Sequence, residues 1–130
     1  MNSPERNEYI KYRMERAVES LAEVQLLLHG EFWNAAVNRM YYACFYAVGA
    51  LLIKHDILTS SHAGARQKFG QMFIATGLVD KELGRHYSDL FDKRQRGDYA
   101  DFFDIDEEIA VRLHKPSIEL VEAINKLIFI

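Results

Sequence analysis

Residues 33–54 read WNAAVNRMYYACFYAVGALLIK. Trp33, Val37, Tyr41, Cys44, Phe45, Val48, Leu51 and Leu52 fall at helical spacings on one broad side. Ala36, Met40, Ala43, Ala47 and Ala50 fill much of the remainder. A helix starting near Glu31 and running to about Lys54 therefore has few faces left for water. It belongs at the centre of a bundle, where its alanines let neighbouring backbones approach. Its apolar surface exceeds what a monomeric bundle of this size readily covers, which predicts a homodimer.

The flanking segments supply the partners for that helix. Ile10, Met14, Ala17, Leu21, Val24 and Leu28 recur every three or four residues, so an amphipathic helix is expected over about Tyr9 to Leu28. Gly30 is placed to end it in a left-handed conformation. Downstream, Ser60 or Ser61 is the expected cap of a third helix over about His62 to Thr76, with Ala65, Phe69, Met72 and Phe73 buried and Gly77 as its stop. A fourth helix, capped by Asp80, is expected to about Lys93, buried through Leu83, Tyr87, Leu90 and Phe91. The charged stretch Arg94-Gln95-Arg96-Gly97-Asp98-Tyr99 reads as a turn, because Gly97 disfavours continuous helix. The last helical region begins near Asp104, which has capping-box spacing to Glu107, and Pro116 should split or bend it. The fold expected is all-α: an up-and-down bundle of four to five helices, one domain over residues 1–130 with its core at about 9–125.

Composition narrows the function. The chain has 130 residues, 49% hydrophobic and 27% charged, enough for one real core. Its net charge of -3 gives no general attraction to a polyanion, so RNA contact needs a local basic patch. Cys44 is the only cysteine, which excludes an intramolecular disulfide and a cysteine metal cluster. No two of His29, His55, His62, His86 and His114 have the spacing that stacks metal ligands on a helix, and the isolated glycines form no phosphate loop. No metal and no cofactor are expected. Met1 to Arg16 is polar, and the apolar run Tyr41 to Ile53 is too short to span a bilayer, so a cytoplasmic protein without membrane contact is expected.

Arg39, Tyr42 and Tyr46 share one flank of the second helix, a guanidinium and two phenols beside the apolar stripe. They either close the core with satisfied hydroxyls or face a groove that accepts phosphate or nucleobase. His62 at the start of the third helix is either a ligand contact or a hydrogen bond to the neighbouring helix. Arg94, Arg96, Asp98 and Tyr99 form the other group, in which an Arg94–Asp98 pair competes with contact to nucleic acid.

Taken in order, Asn38-Arg39-x-Tyr41-Tyr42-Ala43-x-Phe45, His62-x-Gly64 with Phe69, and Arg94-x-x-x-Asp98-Tyr99 resemble the pattern of the HEPN family, in its small stand-alone bacterial and archaeal branch. The resemblance implies a helical bundle commonly paired into a dimer. It implies two functional classes: metal-independent RNases acting as toxins or in defence, often neutralised by a small nucleotidyltransferase, and relatives that bind nucleotides or proteins without turnover. It marks Arg39, Tyr42, His62, Arg94, Asp98 and Tyr99 as the positions to watch, with Arg96 as added charge. The chain departs from the nuclease pattern, since no arginine is followed by a histidine after four to six residues. Histidine suits the proton transfer of RNA cleavage and arginine does not. The expectation is therefore a binding protein partnered by a nucleotidyltransferase-like protein in a toxin-antitoxin or defence module, with an RNase toxin using an altered site as the alternative.

Overall fold

The computed structural model describes residues 3–99 and 104–130, with side chains at 3–95 and 104–130. Five α-helices follow one another: α1 Ser3–His29, α2 Trp33–Lys54, α3 His62–Phe69, α4 Lys81–Tyr99 and α5 Glu107–Ile128. They pack up-and-down, and no β-strand occurs among the described residues.

The centre of the bundle is α2, packed against α1, α5, α4 and α3. Met40, Tyr41, Cys44, Ala47, Val48 and Leu51 are fully buried in it. At 22 residues and a mean hydropathy of 1.3, α2 has the length and apolarity of a membrane span, longer than the run Tyr41–Ile53 suggests. Most of that surface is spent inside the fold, with 61% of its most apolar stretch buried, while Trp33, Tyr42, Phe45, Tyr46 and Ile53 stay part-exposed.

The local chemistry explains the boundaries. Ile10, Met14, Ala17 and Val24 form the buried seam of α1, and Ser20 is buried with them. The α1–α2 turn puts Glu31, at φ 65°, in the left-handed region instead of Gly30, and the Phe32 ring lies against Gly30. Ser61 caps α3, its Oγ accepting from the Gly64 amide at 2.9 Å. Asp80 caps α4 through the Glu82 amide at 3.2 Å.

After Phe69 the chain widens into a π-helical turn, Gly70–Ile74, with the Ala75 amide donating to the Gly70 carbonyl at 2.9 Å. The wider turn keeps Phe73 buried and puts Met72, expected in the core, 47% exposed. Gly77, at φ 83°, ends the segment.

Two further expectations are corrected. Residues 94–99 are the continuous last turns of α4 and not a separate turn, so Gly97 does not end the helix. The cap of α5 is Asp106, whose Oδ1 accepts from the Ile109 amide at 2.9 Å, rather than Asp104. Through Pro116 α5 runs unbroken. Ser117 Oγ donates back to the Leu113 carbonyl at 2.8 Å beside the bond that proline cannot make. Lys54 Nζ donates to the carbonyls of Leu127 and Ile128, tying the end of α2 to that of α5.

Candidate functional site

Tyr41 and Tyr42 are consecutive on α2 and diverge around it. Tyr41 is fully buried, stacked on Tyr87 of α4 with centroids 5.9 Å apart and planes at 2°. Its hydroxyl meets Nδ1 of His62 at 2.7 Å. His62 also lies flat on Phe45 at 4.1 Å and edge-on to Tyr42 at 6.0 Å. These contacts dock the first turn of α3 on α2.

Burial holds the His62 pKa below its ordinary value, and the positive charges of Arg94 and Arg13 lower it further. The ring is therefore a neutral imidazole at neutral pH. Burial raises the Tyr41 phenol to about 12, so it keeps its proton. In the tautomer whose Nδ1–H donates to Tyr41 Oη, Nε2 keeps its lone pair.

Arg94 reaches the same two tyrosines from α4. Its Nη2 donates to Tyr42 Oη at 3.0 Å, and its guanidinium carbon is 5.4 Å from both ring centroids. On the other side of Tyr42, the Arg39 guanidinium carbon lies 5.4 Å from that ring. Arg39 Nη2 donates to the buried Ser20 Oγ of α1 at 3.2 Å. The fold thus gathers Arg39, Tyr42, His62 and Arg94 from three helices into one cluster. Arg96, Asp98 and Tyr99 continue α4, but their side chains lie outside the described residues.

Two arginines of α1 complete the cluster, and the sequence reading did not single them out. Arg13 donates from Nη2 and Nε to the Phe45 and Tyr46 carbonyls, each at 3.2 Å. Its guanidinium also lies over the rings of both residues, at 5.3 and 5.4 Å. This approach needs a glycine: a Cβ on Gly49 would sit 2.3 Å from Arg13 Nη2. Arg16 lies over Tyr46 at 5.5 Å. Arg16 at the hydroxyl holds the Tyr46 phenol below its ordinary pKa, with Arg39 adding to the effect. The available signal was Gly49, the one residue without a side chain in α2.

His86 lies elsewhere. It is buried on α4, its Nε2 2.8 Å from Ser117 Oγ, and burial pushes its pKa down to about 4. Cys44 is fully buried too, its thiol raised to about 12 by burial.

A groove of about 440 Å³ opens next to the cluster. Phe45 and Arg13 are shared between the two, and Tyr9, Ile57, Leu58 and Ala65 add apolar wall. At its rim Arg6 Nη1 pairs with Asp56 Oδ1 at 2.6 Å.

The HEPN domain profile matches residues 10–127. A UPF0332 protein of Thermotoga maritima is 40% identical over 124 residues, covering 95% of this chain and 94% of that protein. Two proteins of Methanocaldococcus jannaschii are similar as well. Putative toxin MJ0142 is 37% identical over 82% of this chain and 74% of its own length. Putative toxin MJ0605 is 31% identical over 72% of this chain and 69% of its own.

Proposed function

This chain belongs to the HEPN domain family, and on that premise we propose that it is a toxin-type endoribonuclease with an altered active site. One observation carries the reading: a neutral histidine, His62, and an arginine, Arg94, rest on the same pair of tyrosines. They come from different helices, so no short sequence motif joins them. The toxin names of the two archaeal relatives point the same way.

The chemistry assigns each group a task. His62 Nε2 takes the proton of a ribose 2′-hydroxyl, and that oxygen attacks the adjacent phosphorus. The bond to the 5′-oxygen breaks, leaving a 2′,3′-cyclic phosphate and a 5′-hydroxyl once the leaving oxygen is protonated. Arg94 and Arg39 stabilise the charge that builds on the phosphoryl oxygens. Tyr41 orients the imidazole through Nδ1. Burial, and after it the charges of Arg94 and Arg13, keep His62 unprotonated until it takes that proton.

The test is cleavage of end-labelled RNA in excess EDTA, with product ends identified. Wild type should cleave and leave cyclic phosphate, and His62→Ala and Arg94→Ala should not, while circular dichroism stays helical. Absence of EDTA-resistant cleavage by folded wild type rejects the nuclease.

A second reading, binding without turnover, is favoured by the engagement of Arg39 with Ser20 and of Arg94 with Tyr42. In it the cluster is an anion-binding face for nucleotide or RNA, and a small nucleotidyltransferase is the partner protein. RNA binding that depends on Arg39 and Arg94 but gives no product supports it. In either reading a homodimer is proposed, and sedimentation equilibrium reads it directly.

A further inference from the structure

We infer that the groove beside His62 is a nucleobase subsite, and that Asp56 at its rim selects adenine and cytosine, the bases with an amino group where guanine and uracil carry a carbonyl. The inference rests on the nuclease reading for its biological sense, and its physical grounds are separate.

The first ground is the wall. Phe45, Leu52, Ile53, Ile57, Leu58 and Ala65 make most of the lining apolar, which suits a flat heterocycle better than a bare phosphate. A volume of about 440 Å³ is in the range of small-molecule sites, which run from roughly 300 to 1,000 Å³. Tyr9 and Phe45 add aromatic surface to the wall, and the Arg13 guanidinium over both rings is a planar cation on which a base can stack.

The second ground is position. Phe45 lines the groove on one side and carries the His62 ring, 4.1 Å away, on the other. Arg13 likewise belongs both to the groove and to the shell of charges that lowers the His62 pKa. A base seated in the groove is therefore one side chain, Phe45, away from His62.

The third ground is the rim. Asp56 is a non-glycine residue at φ 57°, held in the left-handed region by the turn after α2. Such conformations cost energy and gather at functional sites. Its carboxylate spends Oδ1 on Arg6 Nη1, and Oδ2 remains as an acceptor. An acceptor-only group receives the amino N–H of adenine N6 or cytosine N4, where guanine and uracil place a carbonyl oxygen.

The experiment titrates AMP, CMP, GMP and UMP into wild type, followed by calorimetry or NMR shifts of the Leu58 and Ile57 methyl groups. These monophosphates lack the phosphodiester that would be cleaved, so binding is read without catalysis. AMP and CMP should bind about fivefold or more tighter than GMP and UMP, the discrimination of one hydrogen bond left unpaired. Asp56→Asn, which tolerates the left-handed turn, should erase most of that preference. Thr59→Tyr, at an exposed position lining the groove, should block all four nucleotides while circular dichroism and Tm stay those of wild type. Equal binding of all four nucleotides, no binding at millimolar concentration, or indifference to both substitutions overturns the subsite. Selective binding by a protein that cleaves no RNA keeps the subsite and retires the nuclease. RNA cleavage without nucleotide selectivity does the reverse.

Discussion

His62 and His86 both have depressed pKa values, and burial is the first cause for each. Their surroundings diverge from there. His86 is 9% exposed and hydrogen-bonded to Ser117, between α4 and α5. His62 is half-buried, and after burial the next influences on it are the guanidinium groups of Arg94 and Arg13. His86 also feels Asp89, Arg112 and Lys93, and its ring is spent on Ser117, which makes it a brace between two helices. His62 bonds through Nδ1 to Tyr41 and sits beside Arg94 on the same pair of tyrosines. Neutrality at pH 7 is thus common to both, and the partners around the ring separate a brace from a candidate base.

The largest expected effect breaks the comparison on the activity side. His62→Ala should lower EDTA-resistant RNA cleavage by roughly 10²- to 10⁴-fold, the usual contribution of a positioned general base. His86→Leu should stay within about tenfold of wild type, provided the protein is assayed below its Tm. Equal losses in the two variants would mean that both histidines act through the fold.

Acid stability comes next. Above pH 6.5 His86 is neutral in both the folded and the unfolded chain and contributes no pH dependence. Between 6.5 and about 4 the unfolded chain takes up a proton that the folded chain refuses, so stability falls as pH falls, and the loss is complete below about 4. The full shift corresponds to about 3 kcal/mol. Urea denaturation of wild type and His86→Leu from pH 7.5 to 4 checks this through the difference in slope. His62 has the same sign, and its fuller exposure makes its share smaller.

A smaller effect sharpens the arginine side. Gly49→Ala forces the Arg13 guanidinium off the α2 carbonyls. The cost should be about 1 kcal/mol, because the displaced group is the end of a flexible chain and loses two hydrogen bonds. Denaturant melts give that number, and the His62 pKa, followed by NMR, should move up as the charge retreats. The smallest expected change is at Tyr46: Arg16→Met should raise its phenol toward the ordinary value in a spectrophotometric titration.

The sequence makes the helices legible because each carries a repeating apolar seam, and those of α1, α4 and α5 lie where periodicity puts them. What it hides are effects of tertiary packing. Gly97 inside α4 reads as a breaker, since propensity alone says nothing of the packing behind Leu90 and Phe91. Asp104 and Asp106 are both good caps, and only the backbone geometry decides for Asp106. At the site, Arg39, Tyr42, His62 and Arg94 were legible as suspicious residue types, and their convergence needed the fold. Arg13 and Arg16 looked like the solvated face of α1. Their role depends on the close approach of α1 to Gly49 and Tyr46, for which neither residue carries a local signal.

The widened turn at Gly70–Ile74 has a consequence for how this bundle tolerates changes in length. Its ends are pinned: Phe69 and Phe73 are in the core, the Val79 amide is bonded to the Phe73 carbonyl at 2.8 Å, and Gly84 lies against Ile74. Between them, the i→i+5 pattern holds one residue more per turn than an ordinary helix. A chain one residue shorter here can revert to i→i+4 bonding and still deliver α4, with Tyr87 and Arg94, to the same place. The π turn is therefore a slack coil in the bundle, able to take up a deletion that elsewhere would rotate an entire helix away from His62.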